Sequence, residues 1–243
     1  MGRHGTIAGR KAAQDSKRAA LFTKYAKTIT VAAKDGGDPE YNASLRTAID
    51  KAKAIGMPND NISRAIKKGT GELGGVSYEE QTFEGYGAGG VAMIVTCLTD
   101  NTNRTTSAVR SLFDKHGGNL GTPGCVSYMF SRKGVIIIEK TDDIDEDALM
   151  EVALDAGADD MVTEEDSYEI TTDPASYNDV DQALRKAGYE LVMSEVEQVP
   201  SMEKTPDEHD LKKLKKLVDM LEENDDVQSV STNCGANLDD IEL

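Results

Sequence analysis

The hydrophobic period of this chain changes near Tyr78. Before that point apolar residues recur every three or four positions, whereas later apolar runs are short and strand-like and alternate with helical segments. Three helices are predicted in the first part, at residues 10–34, 41–55 and 58–68, because each periodic stretch ends at glycine or proline signals. The glycine-rich stretch 69–75 follows them and is expected to be a linker.

The second part of the chain contains two strand-bearing units. The predicted elements are strands 81–86 and 91–98, a helix ending near residue 115, strands 126–130 and 135–139, helix 145–156, strands 161–163 and 168–171, helix 175–187, strand 189–197, helix 209–222 and strand 227–231. From residue 135 to 197 the order is β-α-β-β-α-β, which is the split βαβ pattern. The first unit lacks an α-β pair, and the final helix and strand supply it.

We therefore expect an α+β multidomain protein. It has a basic three-helix domain (1–75) followed by two ferredoxin-like α/β domains, one inserted into the other. The first α/β domain is discontinuous (76–133 plus 205–243), and the inserted one is acidic (134–204). A hydrophobic content of 38% with few aromatic residues fits several small units better than one large core.

Charge is distributed very unevenly along the chain. Residues 1–70 hold 14 Lys and Arg against 6 Asp and Glu, a net charge of +8, whereas residues 71–243 carry −25. Lysines on an outward helix face are often only solubilising. Here the excess extends over three helices and contrasts with a body of opposite sign, which favours binding of a polyanion through phosphate neutralisation.

Other classes of site have weak signals. Cys97, Cys125 and Cys234 are isolated and no His or Cys spacing is typical of zinc, so we expect no disulfide, no metal and no cofactor. The string GxGxxG at 69–74 follows a helix rather than a strand, which argues against a dinucleotide site. The glycines of 85–90 resemble a phosphate cradle, but a tight strand connection is favoured.

Paired acids in the inserted segment, such as Asp159 and Asp160, raise an alternative class, an enzyme with carboxylate chemistry or a divalent-cation site. A solvated acidic surface is favoured, and a pure protein-interaction module is a third class. The N-terminus lacks the apolar core of a secretory signal and no apolar run approaches 18 residues. We therefore expect a cytoplasmic protein with no membrane span. We also expect a monomer.

Four long strings of the chain are distinctive: RKAAQDSKRAALFTKYAKTITVAAKDGGDP, MPNDNISRAIKKGTG, FEGYGAGGVAMIVTCLTDNTNRT and GGNLGTPGCVSYMFSRKG. Segment after segment, they resemble the YebC-type family of bacterial regulators, which includes the mitochondrial translational activator of cytochrome oxidase subunit one. The resemblance is close over about residues 8–134 and looser beyond. It implies a helical domain followed by two α/β domains, one inserted in the other, and it implies no catalysis.

We therefore predict a non-enzymatic nucleic-acid-binding regulator, with ribosomal RNA and translation favoured and a DNA-binding transcriptional regulator as the alternative. RNA is favoured over DNA because the sequence shows no evident recognition helix and no dimer-forming element. Ribosomal proteins are a further partner class for the acidic body. The candidate binding residues, chosen by charge, are Arg10, Lys11, Lys17, Arg18, Lys24, Lys27, Lys34, Lys51, Lys53, Arg64, Lys67, Lys68, Arg104 and Arg110.

Overall fold

Three helices open the part of the chain that the structure describes. The structure, a computed structural model, describes residues 18–75 and 77–243. The helices are α1 (Arg18–Ala32), α2 (Ala43–Ala54) and α3 (Asn59–Gly69). They agree with the predicted helices, apart from residues 10–17 of the first, which lie outside the described residues.

Asn42 fixes the connection between α1 and α2. Its side-chain oxygen accepts a hydrogen bond from the Leu45 amide at 3.0 Å and thereby caps α2. Its side-chain nitrogen donates to the carbonyl oxygens of Ala32 and Gly36, both at 2.8 Å. One carboxamide therefore satisfies backbone groups on both sides of the turn.

Helices α1 and α3 approach each other closely at Gly69. A Cβ atom on Gly69 would lie 2.3 Å from the Thr30 carbonyl oxygen and 2.6 Å from the Ala33 Cβ. The Thr30 hydroxyl also donates to the Ala65 carbonyl of α3 at 3.2 Å. Behind this contact, aliphatic side chains fill the core of the helical unit: Ile29, Leu45, Ala48, Ile49, Ala52 and Ile62.

Strands alternate with helices in the rest of the chain. The elements are β1 (Glu79–Tyr86), β2 (Ala92–Thr99), α4 (Thr102–Lys115), β3 (Asn119–Leu120), β4 (Phe130–Glu139), α5 (Glu146–Asp155), β5 (Ala158–Thr163), β6 (Ser167–Thr172), α6 (Tyr177–Lys186), β7 (Leu191–Pro200), α7 (Glu208–Glu222) and β8 (Val227–Thr232). No helix of the described chain combines the length and the apolar character that a membrane span needs.

The strands form two four-stranded sheets in which neighbouring strands are antiparallel. The first has the order β3-β1-β2-β8 and the second the order β5-β6-β4-β7. The chain leaves the first sheet after β3, builds the whole second sheet, and returns through α7 to place β8 beside β2. The mixed α+β class is confirmed.

The final helix and strand join the first sheet as we expected, but this sheet does not have the ferredoxin-like chain order β-α-β-β-α-β. Its chain order begins with a β1-β2 hairpin, because residues 87–90 form a turn too short to hold a crossover helix. The order β-α-β-β-α-β is present from β4 to β7. Helices α4 and α7 cover the first sheet over a core that includes Val95, Phe113 and Leu217.

The predicted strand at 126–130 is also wrong. Residues 127–129 form a 3-10 turn, and the strand at the edge of the first sheet is β3. The amides of Val126 and Ser127 donate to the Glu84 carboxylate at 3.0 and 2.8 Å. Because these amides are held by a side chain, they are not available to a strand ladder.

Candidate nucleic-acid interface

The structure describes most, but not all, of the predicted binding residues. Arg10, Lys11 and Lys17 lie outside the described residues, and so does the side chain of Arg18. The other ten have different surroundings: some are engaged between structural units, some contact the segment before β1, and some face solvent.

Lys27 belongs to the first group. We expected it on the outward face of α1, but it is 9% exposed. Its ammonium donates to the Asp226 carboxylate at 2.7 Å, to the Asp225 carbonyl at 2.7 Å and to the Leu98 carbonyl at 3.3 Å. All three ammonium protons therefore have acceptors within the protein, and Lys27 is not placed to meet a phosphate.

Asp226 is the centre of this arrangement. Its second oxygen accepts from Arg104 at 2.7 Å and from the hydroxyls of Thr105 at 2.8 Å and Thr99 at 3.3 Å. We call these four residues, together with Lys27, the Asp226 cluster. Burial by itself raises the pKa of the Asp226 carboxyl, but hydrogen bonds from Lys27, Arg104 and Thr105 outweigh it and lower that pKa to about 2.

Arg104 is the second residue whose predicted role the cluster changes. The same guanidinium nitrogen also donates to Asp100 at 2.9 Å, four residues earlier. The Asp226 cluster joins α1 to β2, to α4 and to the turn before β8. It therefore connects the helical unit to the first sheet.

Lys51 contacts the second sheet unit in a similar way. Its ammonium lies 5.4 Å from the centroid of the Tyr177 ring at the start of α6. Burial lowers the pKa of Lys51, whereas the nearby carboxylates of Glu195 and Asp181 act in the opposite direction. Burial also raises the pKa of Tyr177 to about 12.

Two more predicted residues contact the segment that joins the helices to β1. The Lys68 ammonium lies 3.1 Å from the Tyr78 hydroxyl and 5.4 Å from the centroid of its ring. The Lys34 ammonium lies 3.5 Å from the Ser77 hydroxyl at an exposed position. Lys24 is half-buried on α1.

The remaining predicted cations face solvent. Lys53, Arg64, Lys67 and Arg110 are exposed, and no carboxylate among the described residues forms an ion pair with them. Arg46 is exposed as well. The sequence analysis missed it, although its spacing of seven residues from Lys53 places both on one face of α2.

The glycine motifs show no ligand cradle. A Cβ on Gly89 would lie 2.4 Å from the Pro206 Cβ, and one on Gly90 would lie 2.9 Å from the Lys204 ammonium. The segment before α7 therefore covers the 87–90 turn. The GxGxxG string ends α3 and continues into an irregular exposed segment, which precedes a strand rather than a helix.

The acidic pair is exposed on β5. Asp159 and Asp160 lie beside an irregularity in the pairing of β5 with β6, and an Asp160 oxygen accepts from the Met161 amide at 2.9 Å. Within residues 18–75 and 77–243, no group of three or more His, Cys, Asp or Glu side chains could hold a metal ion.

The geometry defines a class of protein, an α+β scaffold with an acidic body and a helical unit that presents cations to solvent. Family models describe the same parts: a TACO1/YebC N-terminal domain matches residues 3–72, and the TACO1/YebC second and third domain matches residues 78–234. The chain belongs to the TACO1/YebC family.

Related proteins cover nearly the whole chain. A probable transcriptional regulatory protein of Clostridioides difficile is 56% identical over 96% of this chain and 98% of its own length. Another from Geobacter sulfurreducens is 53% identical over 98% and 96%. The crystal structure of a conserved hypothetical protein from Aquifex aeolicus is similar with a TM-score of 0.82, at 44% identity, over 96% of this chain and 94% of that one.

Proposed function

We propose that this protein is a non-enzymatic, nucleic-acid-binding regulator of gene expression that grips phosphates with the solvent-facing cations of α2 and α3. The favoured target is structured RNA of the ribosome. It acts as a cytoplasmic monomer, and its acidic body is available to basic ribosomal proteins. The names of its relatives support a regulatory role.

One observation carries the proposal. Lys53, Arg64 and Lys67 are exposed and have no carboxylate partner among the described residues, although the rest of the chain holds a large excess of acids. A carboxylate-rich body repels phosphates, so a polyanion is attracted only where cations are not neutralised. The helical unit is therefore the part of the described surface that best fits a phosphate backbone.

Attachment of the helical unit supports the same function. The Asp226 cluster holds it against the first sheet, and Lys51 holds it against Tyr177 of the second sheet unit. A phosphate-binding surface that is fixed in orientation recognises a rigid, folded shape better than a flexible tail does. Folded RNA is recognised largely by shape and by backbone contacts.

The first test replaces the solvent-facing cations together. We expect Lys53→Ala/Arg64→Ala/Lys67→Ala to weaken binding to ribosomal RNA fragments of all sequences. The slope of log K against log salt should become shallower by about 0.7–0.9 for each phosphate that the variant no longer neutralises. Fluorescence anisotropy over a series of salt concentrations measures both quantities.

A charge-matched control separates a local grip from net charge. Lys212→Ala/Lys213→Ala/Lys216→Ala removes the same charge from α7, where Lys212 and Lys213 pair with acids of their own helix. We expect this variant to keep the wild-type salt slope. Equal decreases of affinity in both triple variants would show that only overall charge matters, and the proposal would fail.

A DNA-binding transcriptional regulator is the second candidate, and the names of the relatives favour it. Co-sedimentation with ribosomes from cell lysate, together with footprinting on promoter DNA at physiological salt, distinguishes the two. Protection of promoter DNA without ribosome association would reverse the order. Co-sedimentation that the α2–α3 triple variant abolishes would support the RNA target.

A further inference from the structure

We propose that Tyr86 and Tyr128 form a stacking site for an unpaired base, so that the protein binds a single-stranded segment of nucleic acid beside the folded part. The inference rests on the proposed function and adds a second contact on the first sheet unit. It also specifies the ligand, an unpaired nucleobase whose flanking phosphates meet basic side chains.

The charge of the surrounding sequence fits a nucleic acid. Residues 101–133 contain five Lys and Arg but only one acid, Asp114, although residues 71–243 as a whole carry a net charge of −25. One of the five, Arg104, is bound to Asp226, while Arg132 is exposed four residues after Tyr128. By its own charge, this segment is the part of the body's sequence that repels a polyanion least.

A firmly anchored loop presents Tyr128. The Glu84 carboxylate, 8% exposed, accepts hydrogen bonds from the amides of Gly124, Val126 and Ser127 at 2.8, 3.0 and 2.8 Å. Val126 is fully buried in a small cluster against β2, and the Met129 carbonyl accepts from the Ser201 amide at 2.8 Å. The backbone on both sides of Tyr128 is therefore fixed by the fold.

Tyr128 is nevertheless 75% exposed. Tyr86, which is 37% exposed, donates its hydroxyl proton to the Cys125 carbonyl of this loop at 3.3 Å, and the Tyr128 hydroxyl is near enough to act on that of Tyr86. Desolvation, followed by the neighbouring Tyr128 hydroxyl, raises the pKa of Tyr86. Tyr128 on the anchored loop and Tyr86 at the end of β1 therefore both remain accessible, and the backbone that carries each of them is already ordered.

An ordered, exposed aromatic pair suits a planar ligand. Base–aromatic stacking contributes about 1–3 kcal/mol per base and tolerates all bases, since each has a π face. Little conformational entropy is lost on binding, because the loop backbone does not need to be ordered. A peptide partner could also pack against the two tyrosine rings. Residues 101–133, however, contain several cations and only one acid, which favours a ligand with phosphates over a basic peptide.

The test compares single-stranded and double-stranded RNA. The probe is a fluorescein-labelled 12-nucleotide polyuridine RNA, alone or annealed to polyadenosine, and anisotropy measures its affinity for the full chain. We expect Tyr128→Ala to weaken binding to the single strand by about 5- to 150-fold. The salt slope should stay unchanged, because tyrosine neutralises no phosphate, and Tyr128→Phe should retain the ring and most of the affinity.

Tyr41→Ala is the matched control, because Tyr41 is 92% exposed in the connection before α2 and lies outside the proposed site. If Tyr128→Ala binds the single strand as tightly as Tyr41→Ala does, the stacking site is refuted. An equal decrease of affinity for single strand and duplex would also refute it. The stacking site would also be refuted if Tyr128→Ala kept its RNA affinity but lost a co-purifying protein, because the rings would then bind a protein partner.

The same data distinguish the two proposals. If the wild-type protein binds neither RNA nor DNA, the proposed function itself fails. If the wild-type protein binds RNA and the α2–α3 triple variant binds it more weakly, while Tyr128→Ala does not change the affinity, only the stacking site fails.

Discussion

Removing the charge of Asp226 should weaken the attachment of the helical unit to the first sheet. In the wild-type protein the Asp226 carboxylate accepts hydrogen bonds from Lys27, Arg104 and Thr105. In Asp226→Asn a neutral carboxamide takes its place. Arg104 is half-exposed and can still use Asp100 and water. Lys27 is enclosed, so its ammonium would remain buried beside a neutral side chain.

The structure sets the size of the effect. The Asp226 pKa of about 2, against an ordinary value of 3.8, corresponds to about 2 kcal/mol of stability at neutral pH. Removing one partner from a buried ion pair costs about 3–5 kcal/mol, because an uncompensated charge is left behind. We therefore expect Asp226→Asn to lower the free energy of unfolding by about 2–5 kcal/mol.

The effect also depends on pH. The folded carboxyl has the lower pKa, so between about pH 4 and pH 2 the unfolded chain binds a proton that the folded chain does not. The contribution of Asp226 is therefore complete near neutral pH and is lost as the pH falls through this range. In Asp226→Asn this part of the stability profile should be flatter.

Urea unfolding at a series of pH values measures the stability, and hydrogen exchange shows whether α1 and the end of β2 lose protection together. The control is Asp239→Asn, which makes the same chemical change at an exposed carboxylate 3.8 Å from Lys215. Its cost should not exceed about 1 kcal/mol. If Asp226→Asn is no less stable than Asp239→Asn, the cluster does not attach the helical unit in the way we describe.

Two further changes test the packing of the helices and of the anchored loop. Gly69→Ala should lower the urea midpoint by an amount equivalent to about 1–3 kcal/mol, because its Cβ would lie 2.3 Å from the Thr30 carbonyl oxygen, whereas Gly75→Ala, with no atom within 4 Å, should be near neutral. Glu84→Gln should lower the free energy of unfolding by about 1–3 kcal/mol and speed hydrogen exchange of the loop amides that the carboxylate holds. Its control is Glu80→Gln, at an exposed position of the same strand, which should change neither the stability nor the exchange of these amides. Wild-type exchange in Glu84→Gln, or an unchanged midpoint in Gly69→Ala, would contradict the interaction concerned.

The helices and most strands could be predicted because their signals are local. Asn42 and Asn101 cap helices through bonds that span only three residues, and both stand directly before periodic stretches. The strand predicted at 126–130 failed for the opposite reason. Its amides donate to the Glu84 carboxylate, about 40 residues earlier in the chain, and no local pattern reveals that partner.

The cations show the same division. A helical projection of α1 places Lys27 on the outward face of an isolated helix, and this is correct for the helix alone. Its partner Asp226 is 199 residues away and reaches it only because β8 returns to the first sheet after the second sheet is complete. Lys53, Arg64 and Lys67 face solvent, as a basic patch requires, because no other unit covers that side of α2 and α3 in the described chain.

Sequence by itself determined where the charge lies, where the chain turns, and that a basic helical unit precedes an acidic α+β body. Tertiary structure alone decided which cations remain available. The physical reason is that helix periodicity depends on neighbours within four residues, whereas the fate of a charged side chain depends on which distant surface is folded against it. Lys27 and Lys53 lie on adjacent helices of one basic unit, and only the packing of the body makes the first an internal tether and leaves the second exposed.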